Sequence, residues 1–382
     1  MIYLDNAATT YPKPKAVQAA VSGALRRGAN PGRSGHKMSV ASAEEVYRCR
    51  ESVADFFGCD CPECVAFTLN CTYAINLVLK GLLKPGDHVV CTDLEHNAVM
   101  RPLFALEQQG VSYTAVPVIE GDNDETVNGF RKALRSNTAL AICTQASNVT
   151  GVRVPVERIA ALCKAYGIPV AVDCAQSAGV LPITMDDTGI DYLCAPGHKG
   201  LYGPMGTGLL IAKKGENLRT ILEGGTGTSS ADFLHPAQMP ERFEPGTQNF
   251  PGIVGLSAGI QFLRQRTTKS IFLHEMRLMQ QAYDRLEQLP SVRLYTSRPT
   301  LTHHVPVLSF NVEGLDSETV GQWLNRQGVA VRAGLHCAPA AHRKLGTLES
   351  GTVRISPSAF TTQEELRRFL FLLGQFVKKL QK

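Results

Sequence analysis

The sequence predicts an α/β fold, with a large domain on a mainly parallel sheet covered by helices and a smaller α+β C-terminal domain. Three observations carry this expectation. Between about residues 41 and 212, helix-like patterns alternate with short apolar runs, as in a parallel sheet built with crossover helices. At 382 residues the chain exceeds the ~250–300 residues at which single hydrophobic cores stop growing. The stretch 223–250 breaks the alternation: Gly224-Gly225-Thr226-Gly227-Thr228-Ser229-Ser230 is followed by prolines and reads as a long surface excursion. We set the large domain at residues 15–250 and the small domain at 1–14 together with 251–382.

The elements follow in order. Residues 41–57 carry helical periodicity, 73–82 are helix-like, 88–91 read as extended and 98–110 as helical. Residues 140–144 are extended, 157–166 helical, and 169–173, 192–195 and 208–212 extended. Beyond the excursion, 252–264 and 271–289 read as helices, 305–312 as a strand and 319–327 as a helix. A last helix buries the stripe Leu366, Phe369, Leu370, Leu373, Phe376, Val377 and Leu380. It starts at a capping-box-like Thr361-Thr362-Gln363-Glu364-Glu365, and Lys378 and Lys379 suit its C-terminal end.

Composition narrows the function classes. The net charge is only +5, with 39 basic and 34 acidic residues interleaved, so the basic stripe of a nucleic-acid binder is missing. No stretch approaches the ~18 apolar residues of a membrane span, and the first residues, Met1-Ile2-Tyr3-Leu4-Asp5, do not read as a secretory leader. We expect a cytoplasmic protein without membrane or nucleic-acid partners. Eleven cysteines scattered through helix-like and strand-like segments suit a reducing compartment, and an odd total argues against a complete disulfide set. Cys59-Asp60-Cys61-Pro62-Glu63-Cys64 is dense in thiols, but zinc wants four ligands and no second Cys/His pair lies at suitable spacing. His303-His304 and the pair His336 and His342 also lack supporting ligands, so no metal is expected.

Asp173 and Lys199 point to chemistry. The acid ends an apolar run, and the lysine lies in Ala195-Pro196-Gly197-His198-Lys199-Gly200 after a second one. Pyridoxal 5'-phosphate (PLP) needs a lysine amine to hold its aldehyde and a carboxylate to keep its ring nitrogen protonated. Ligands of parallel sheets sit beyond the carboxyl ends of the strands, and Asp173, Gln176, His198 and Lys199 all fall just after predicted strands. Thr72, at the start of a helix-like segment, offers a hydroxyl and amides at a positive helix end for a phosphate.

These segments resemble the class V aminotransferase family, specifically its cysteine desulfurase and selenocysteine lyase branch. The resemblance rests on Asp173-Cys174-Ala175-Gln176 and Gly197-His198-Lys199-Gly200-Leu201-Tyr202-Gly203-Pro204. It continues through Tyr3-Leu4-Asp5-Asn6-Ala7-Ala8-Thr9-Thr10, Glu95-His96-Asn97, Ser147-Asn148-Val149-Thr150-Gly151 and Arg332-Ala333-Gly334-Leu335-His336-Cys337-Ala338-Pro339. It implies PLP-dependent transferase fold type I. By this resemblance Lys199 is expected to hold the cofactor and move the substrate α-proton, and His96 to stack on the ring. Asn148 and Gln176 are expected to bond the phenolic oxygen, and Thr72, Cys71 and His198 to belong to the cofactor pocket. Thr247 reaches the phosphate of the partner subunit, which implies a homodimer with shared sites. By the same resemblance Arg354 is expected to clamp the substrate carboxylate, and Asn148 and His36 are expected to line the substrate pocket.

Cys337 decides between reactions. A desulfurase needs a thiolate to take sulfur from L-cysteine, leaving an enzyme persulfide and alanine, and then passes the sulfur to an acceptor protein. Arg332 and His336 are candidates to favour that thiolate. A selenocysteine lyase acting on L-selenocysteine fits the same scaffold, as does an aminotransferase with an incidental Cys337. A scaffold that has lost turnover is disfavoured by intact Lys199, Asp173, Cys337 and Arg354. Two departures from the family pattern, Cys71 before Thr72 and Pro196 where relatives often carry a serine, put cofactor affinity in question more than reaction type.

Overall fold

A computed structural model describes residues 1–380. The chain opens with β1 (Ile2–Tyr3), α1 (Lys15–Arg27), α2 (Lys37–Phe56), β2 (Val65–Thr68) and α3 (Cys71–Leu82). It continues through β3 (His88–Thr92), α4 (Asn97–Glu107), β4 (Ser112–Val116), α5 (Asn123–Ala133), β5 (Thr138–Thr144) and α6 (Val156–Ala165). Then come β6 (Val170–Asp173), α7 (Met185–Thr188), β7 (Tyr192–Pro196) and β8 (Gly208–Ala212). Strands β2, β3, β6, β7 and β8 are buried along their whole length. Continuous burial of that kind belongs to a sheet covered on both faces.

The seven strands run in the order β2-β8-β7-β6-β5-β3-β4. From β7 to β4 all neighbours are parallel, whereas β8 is antiparallel to both β7 and β2. The sheet is mainly parallel, as expected. One face meets α2 and α6 through Val46, Val53, Ile159 and Ala160 against Val90, Ala141, Val172 and Leu209. The other meets α3 and α4 through Leu77, Val78, Val99 and Leu103 against Val89, Ile142, Ala171 and Leu210.

Between β8 and α8 (Phe250–Arg266) the chain forms only two short 3-10 turns, in keeping with the surface excursion. The boundary read at residue 250 falls on the first residue of α8, and α8 packs Ile253, Leu256 and Ile260 into the core of the large sheet. The remaining elements are α9 (Thr268–Leu286), β9 (Val292–Leu294), β10 (Leu308–Val312), α10 (Ser317–Arg326), β11 (Val329–Ala330), β12 (Arg332–Gly334), α11 (Pro339–Leu345), β13 (Thr352–Ile355) and α12 (Gln363–Leu380). An antiparallel sheet, β12-β13-β10-β9, shares a separate core with α9, α10 and α12 through Met279, Phe310, Leu324, Phe369 and Leu373. Ile2 and Leu4 complete that core, because β1 pairs in parallel with β11. The capping box forms at Thr362: its Oγ1 accepts from Glu365 N at 3.2 Å, and the Glu365 carboxylate accepts from Thr362 N at 2.8 Å. Among the described residues, no helix is long and apolar enough to cross a membrane.

Candidate active site

The carboxyl ends of the parallel strands meet at one edge, where register aligns Thr144 with Asp173 and Asp173 with Cys194. After β7 the chain turns sharply through Gly197 to Gly203, with Gly203 N donating to Gly197 O and Tyr202 N to Lys199 O, both at 2.8 Å. Glycine is required twice. A Cβ on Gly197 would lie 2.1 Å from Thr207 Oγ1, and one on Gly200 would lie 2.4 Å from Ala178 O. This turn presents Lys199 to a cavity of about 220 Å³.

The cavity gathers Lys199, Asp173, His96, Asn148, Gln176, Thr72, Cys71 and His198, with Pro196 in its wall. Loss of hydration holds the Lys199 amine below its ordinary value, with the Asp173 carboxylate opposing. Asp173 is 2% exposed, and its Oδ1 accepts from Ala175 N at 2.8 Å and from the Cys71 thiol at 3.4 Å. Burial holds Cys71 well above the usual thiol range, so it stays a thiol and a donor. Its sulfur faces the carboxylate of Asp173.

His96 caps α4, its Nδ1 accepting from Ala98 N at 3.0 Å. Burial lowers it to about 4, so the ring is neutral near pH 7, with its proton on Nε2. His198 is likewise held at about 4, first by burial and then by Lys199 and Lys13. Neither histidine therefore carries charge beside Lys199 near neutrality, and burial is what lowers the lysine most. The His198 Nδ1 is buried without a partner. The cap of α3 is Asn70 rather than Thr72: Asn70 Oδ1 accepts from Tyr73 N at 2.9 Å. Thr72 is exposed at the second position of the helix.

Four of the expected residues lie outside this lining. Cys337 is exposed, between β12 and α11, in a four-residue connection fastened at both sides. Its carbonyl accepts from Asn97 N at 2.7 Å, next to His96, and Asn148 Nδ2 donates to His336 O at 2.7 Å. Arg332 Nη2 lies 3.6 Å from Cys337 Sγ. His336 supplies no charge to Cys337: it is buried, its Nε2 lies 3.0 Å from both Thr352 O and Thr352 Oγ1, and burial holds it at about 2.

Arg354 is 1% exposed, with Nη1 donating to Asn148 O and Nη2 paired with Asp5 Oδ1, both at 2.9 Å. Its Nε has no partner. Thr247 is exposed beside a different cavity lined by Phe67, Tyr73 and Leu222. His36 is exposed and caps α2, accepting from Ser39 N at 3.2 Å. Sequence reasoning missed Asn70, although an asparagine ahead of a helical run is a cap signal. It also gave Asp5 no role, and nothing local marks a contact with Arg354 across 349 positions.

Residues 2–369 match the model of the family described as Aminotransferase class-V. The chain belongs to that family. Among class-V relatives, a probable cysteine desulfurase of Mycolicibacterium paratuberculosis is 34% identical over 97% of this chain and 54% of that protein. The chain thus spans about half the length of that relative. A probable cysteine desulfurase of Methanothermobacter thermautotrophicus is 32% identical over 99% of this chain and 94% of that protein. The apo structure of a cysteine desulfurase from Thermococcus onnurineus superposes with a TM-score of 0.91 at 33% identity, covering 99% of this chain and 95% of that one. This class-V chain has the PLP fold type I architecture of that structure.

Proposed function

We propose that the protein is a PLP-dependent cysteine desulfurase, working as a cytoplasmic homodimer that passes sulfur to an acceptor protein. One observation carries the reading: an exposed cysteine, with a guanidinium 3.6 Å from its sulfur, is fastened to two segments that line the lysine-bearing cavity. The residues fit the cofactor. Lys199 is a lowered amine, Asp173 is a held carboxylate, His198 has an orphaned ring nitrogen, and the first residues of α3 form a positive helix end at the same cavity. Bound there, PLP supplies the electron sink that weakens the substrate's carbon–sulfur bond.

The chain's own groups do the rest. Asp173 holds a proton at the ring nitrogen, with Cys71 fixing one of its oxygens. The Lys199 amine, deprotonated more readily than in water, removes and returns the substrate α-proton. Cys337 Sγ takes the substrate sulfur as the carbon–sulfur bond breaks, leaving a persulfide and, once the carbon is protonated, alanine. Arg332 stabilises the anionic sulfur before attack. Arg354 binds the substrate carboxylate in place of Asp5, as a planar fork suits a carboxylate. Thr247, exposed and away from this chain's own cavity, serves the partner's site. Because the Cys337 connection is short and tied by its backbone, the acceptor collects sulfur at the pocket mouth.

The test is anaerobic turnover of cofactor-loaded protein with L-cysteine and, separately, L-selenocysteine, in wild type and Cys337→Ala. We expect alanine and a persulfide from cysteine, with Cys337→Ala lowering both at least about 100-fold while the cofactor's visible absorbance stays. Persulfide at the wild-type rate in the variant would remove Cys337 from its role. Alanine chiefly from selenocysteine, surviving the substitution, would make the enzyme a selenocysteine lyase, and a keto-acid product would make it an aminotransferase.

A further inference from the structure

Residues 6–13 lie outside the lining of the cavity around Lys199, yet they lead from the second core to the turn that carries this lysine. Asn6 Nδ2 donates to Ser356 O at 3.0 Å and Ala7 N to Ser356 Oγ at 2.7 Å, which fastens the segment beside β13. Tyr11 N donates to Asn6 Oδ1 at 3.0 Å and folds it back on itself. Its far end closes on one peptide bond. Thr10 N donates to His198 O at 3.1 Å, Thr9 Oγ1 donates to the same oxygen at 3.1 Å, and Lys13 Nζ donates to it at 2.7 Å. Lys13 Nζ also donates to Thr10 Oγ1 at 2.6 Å, whose single proton faces His198 O and Lys199 O, both at 3.2 Å.

Because each peptide is planar, only φ and ψ are soft on the two sides of the Lys199 Cα. Thr10 N and Lys13 hold the carbonyl of the peptide before it, and Tyr202 N holds the carbonyl after it at 2.8 Å. With both planes fixed, the direction of the Cα–Cβ bond is fixed as well. The same segment holds a second residue of the cavity, since Gln176 Nε2 donates to Ala7 O at 3.1 Å. Lys13 sits against local preference. It is half-buried, it lies two residues ahead of α1, whose N-terminal end is positive, and both of its acceptors are neutral oxygens. Burial lowers it to about 8, so at pH 7 it is still an ammonium with donors for both. Local conflicts of this kind gather at functional sites.

We propose that Lys13 is a positioning residue for Lys199: with Thr10 it clamps the peptide joining His198 to Lys199 and so aims the Lys199 amine into the cavity. The proposal rests on the reading of Lys199 as the residue that carries PLP. Lys13 is not in the lining of the cavity, so it acts through the peptide it holds.

The test compares wild type, Lys13→Met, Thr10→Val and the double variant at pH 7. In cofactor-free protein, hydrogen exchange followed by mass spectrometry should show the amides of residues 197–203 exchanging about tenfold faster in Lys13→Met, because a bond from a charged donor no longer resists local opening. Urea unfolding of the whole protein should change little. Loaded with PLP, the variant should show altered visible circular dichroism of the cofactor and a kcat about tenfold lower with L-cysteine at unchanged KM, since Arg354 is untouched. Thr10→Val should give the same signature, and the double variant should lose less than the product of the two. Exchange at the wild-type rate in Lys13→Met would overturn the proposal. Faster exchange with unchanged dichroism and kcat would overturn it as well, because the clamp would then hold the turn without aiming the lysine. Fully multiplicative losses would show that Lys13 and Thr10 do not act as one clamp. A wild type that takes up no PLP on Lys199, judged by borohydride reduction and peptide mapping, would overturn the reading of the site, and the exchange comparison would still decide on the clamp.

Discussion

Cys337 stands at the junction of two left-handed residues, His336 at φ +50° and Cys337 itself at φ +57°. Such backbone costs of order 1–3 kcal/mol per residue and persists only where surrounding bonds over-determine it. Here the carbonyls of both residues are tied, to Asn148 and Asn97, so the sulfur is held beside Arg332. An exposed charged contact of this kind contributes about 1 kcal/mol at most, a factor of roughly five. Arg332→Gln should therefore slow alkylation of Cys337 by iodoacetamide by up to about fivefold and lower kcat by a similar factor. Unchanged alkylation would show that the guanidinium does nothing for the sulfur. At this scale the sequence pointed to Lys199, Asp173 and His96, which the fold brings to one cavity, because each lies at or soon after the end of a strand and sits in a dense motif. It misjudged His336, because burial that keeps an imidazole neutral leaves no local trace.

Secondary elements show a similar division. Strands β3, β5, β6, β7, β8 and β10 were readable as apolar runs, whereas the buried β2 was not, and α12 was readable as a stripe with its cap, although Leu380 at its end is exposed. Helix α5 was not readable, since its buried side rests on Thr126, Val127 and Phe130 alone, too few for a clear period against polar neighbours. Strands β12 and β13 are short and carry Arg332 and Arg354 inside the ladder, where composition argues against a strand. What fixes α2 to β2 and to the excursion was also hidden. Arg50 and Glu244, both with side chains 5% exposed, form a two-pronged pair at 2.8 and 2.9 Å. Phe67 N donates to Glu244 Oε1 at 2.6 Å, and the guanidinium lies over the Phe67 ring. Glu244→Gln keeps an acceptor for Phe67 N and leaves a buried cation unpaired. It should cost about 3 kcal/mol in denaturant unfolding, with much of that loss recovered when Arg50→Met is added. Equal losses in the single and double variants would show that the pair is not the source of the effect.

On the scale of the whole molecule, the two cores are joined through the turn that carries Lys199. Tyr202, three residues on, packs with Phe262 and Phe360, accepts from Ala359 N at 2.8 Å and donates to Glu275 Oε1 at 3.3 Å. Glu275 belongs to α9, which builds the second core, and no sequence pattern links it to Tyr202. Burial raises Glu275 to about 8 from an ordinary 4.5. The folded state therefore keeps a proton that the unfolded chain has already lost. That contribution to stability is complete below about pH 4.5 and disappears as pH rises to about 8, by up to about 1.4 kcal/mol per pH unit. Glu275→Gln resembles the protonated acid, preserves an acceptor for Tyr202 and does not titrate. Cofactor-free wild type should match or exceed the variant in urea unfolding at pH 5, then fall steadily below it at pH 6.5 and 8. A difference between the two proteins that stays constant over this range would mean that Glu275 is ionised in the fold, and that the join between the cores rests on a charge rather than a neutral hydrogen bond.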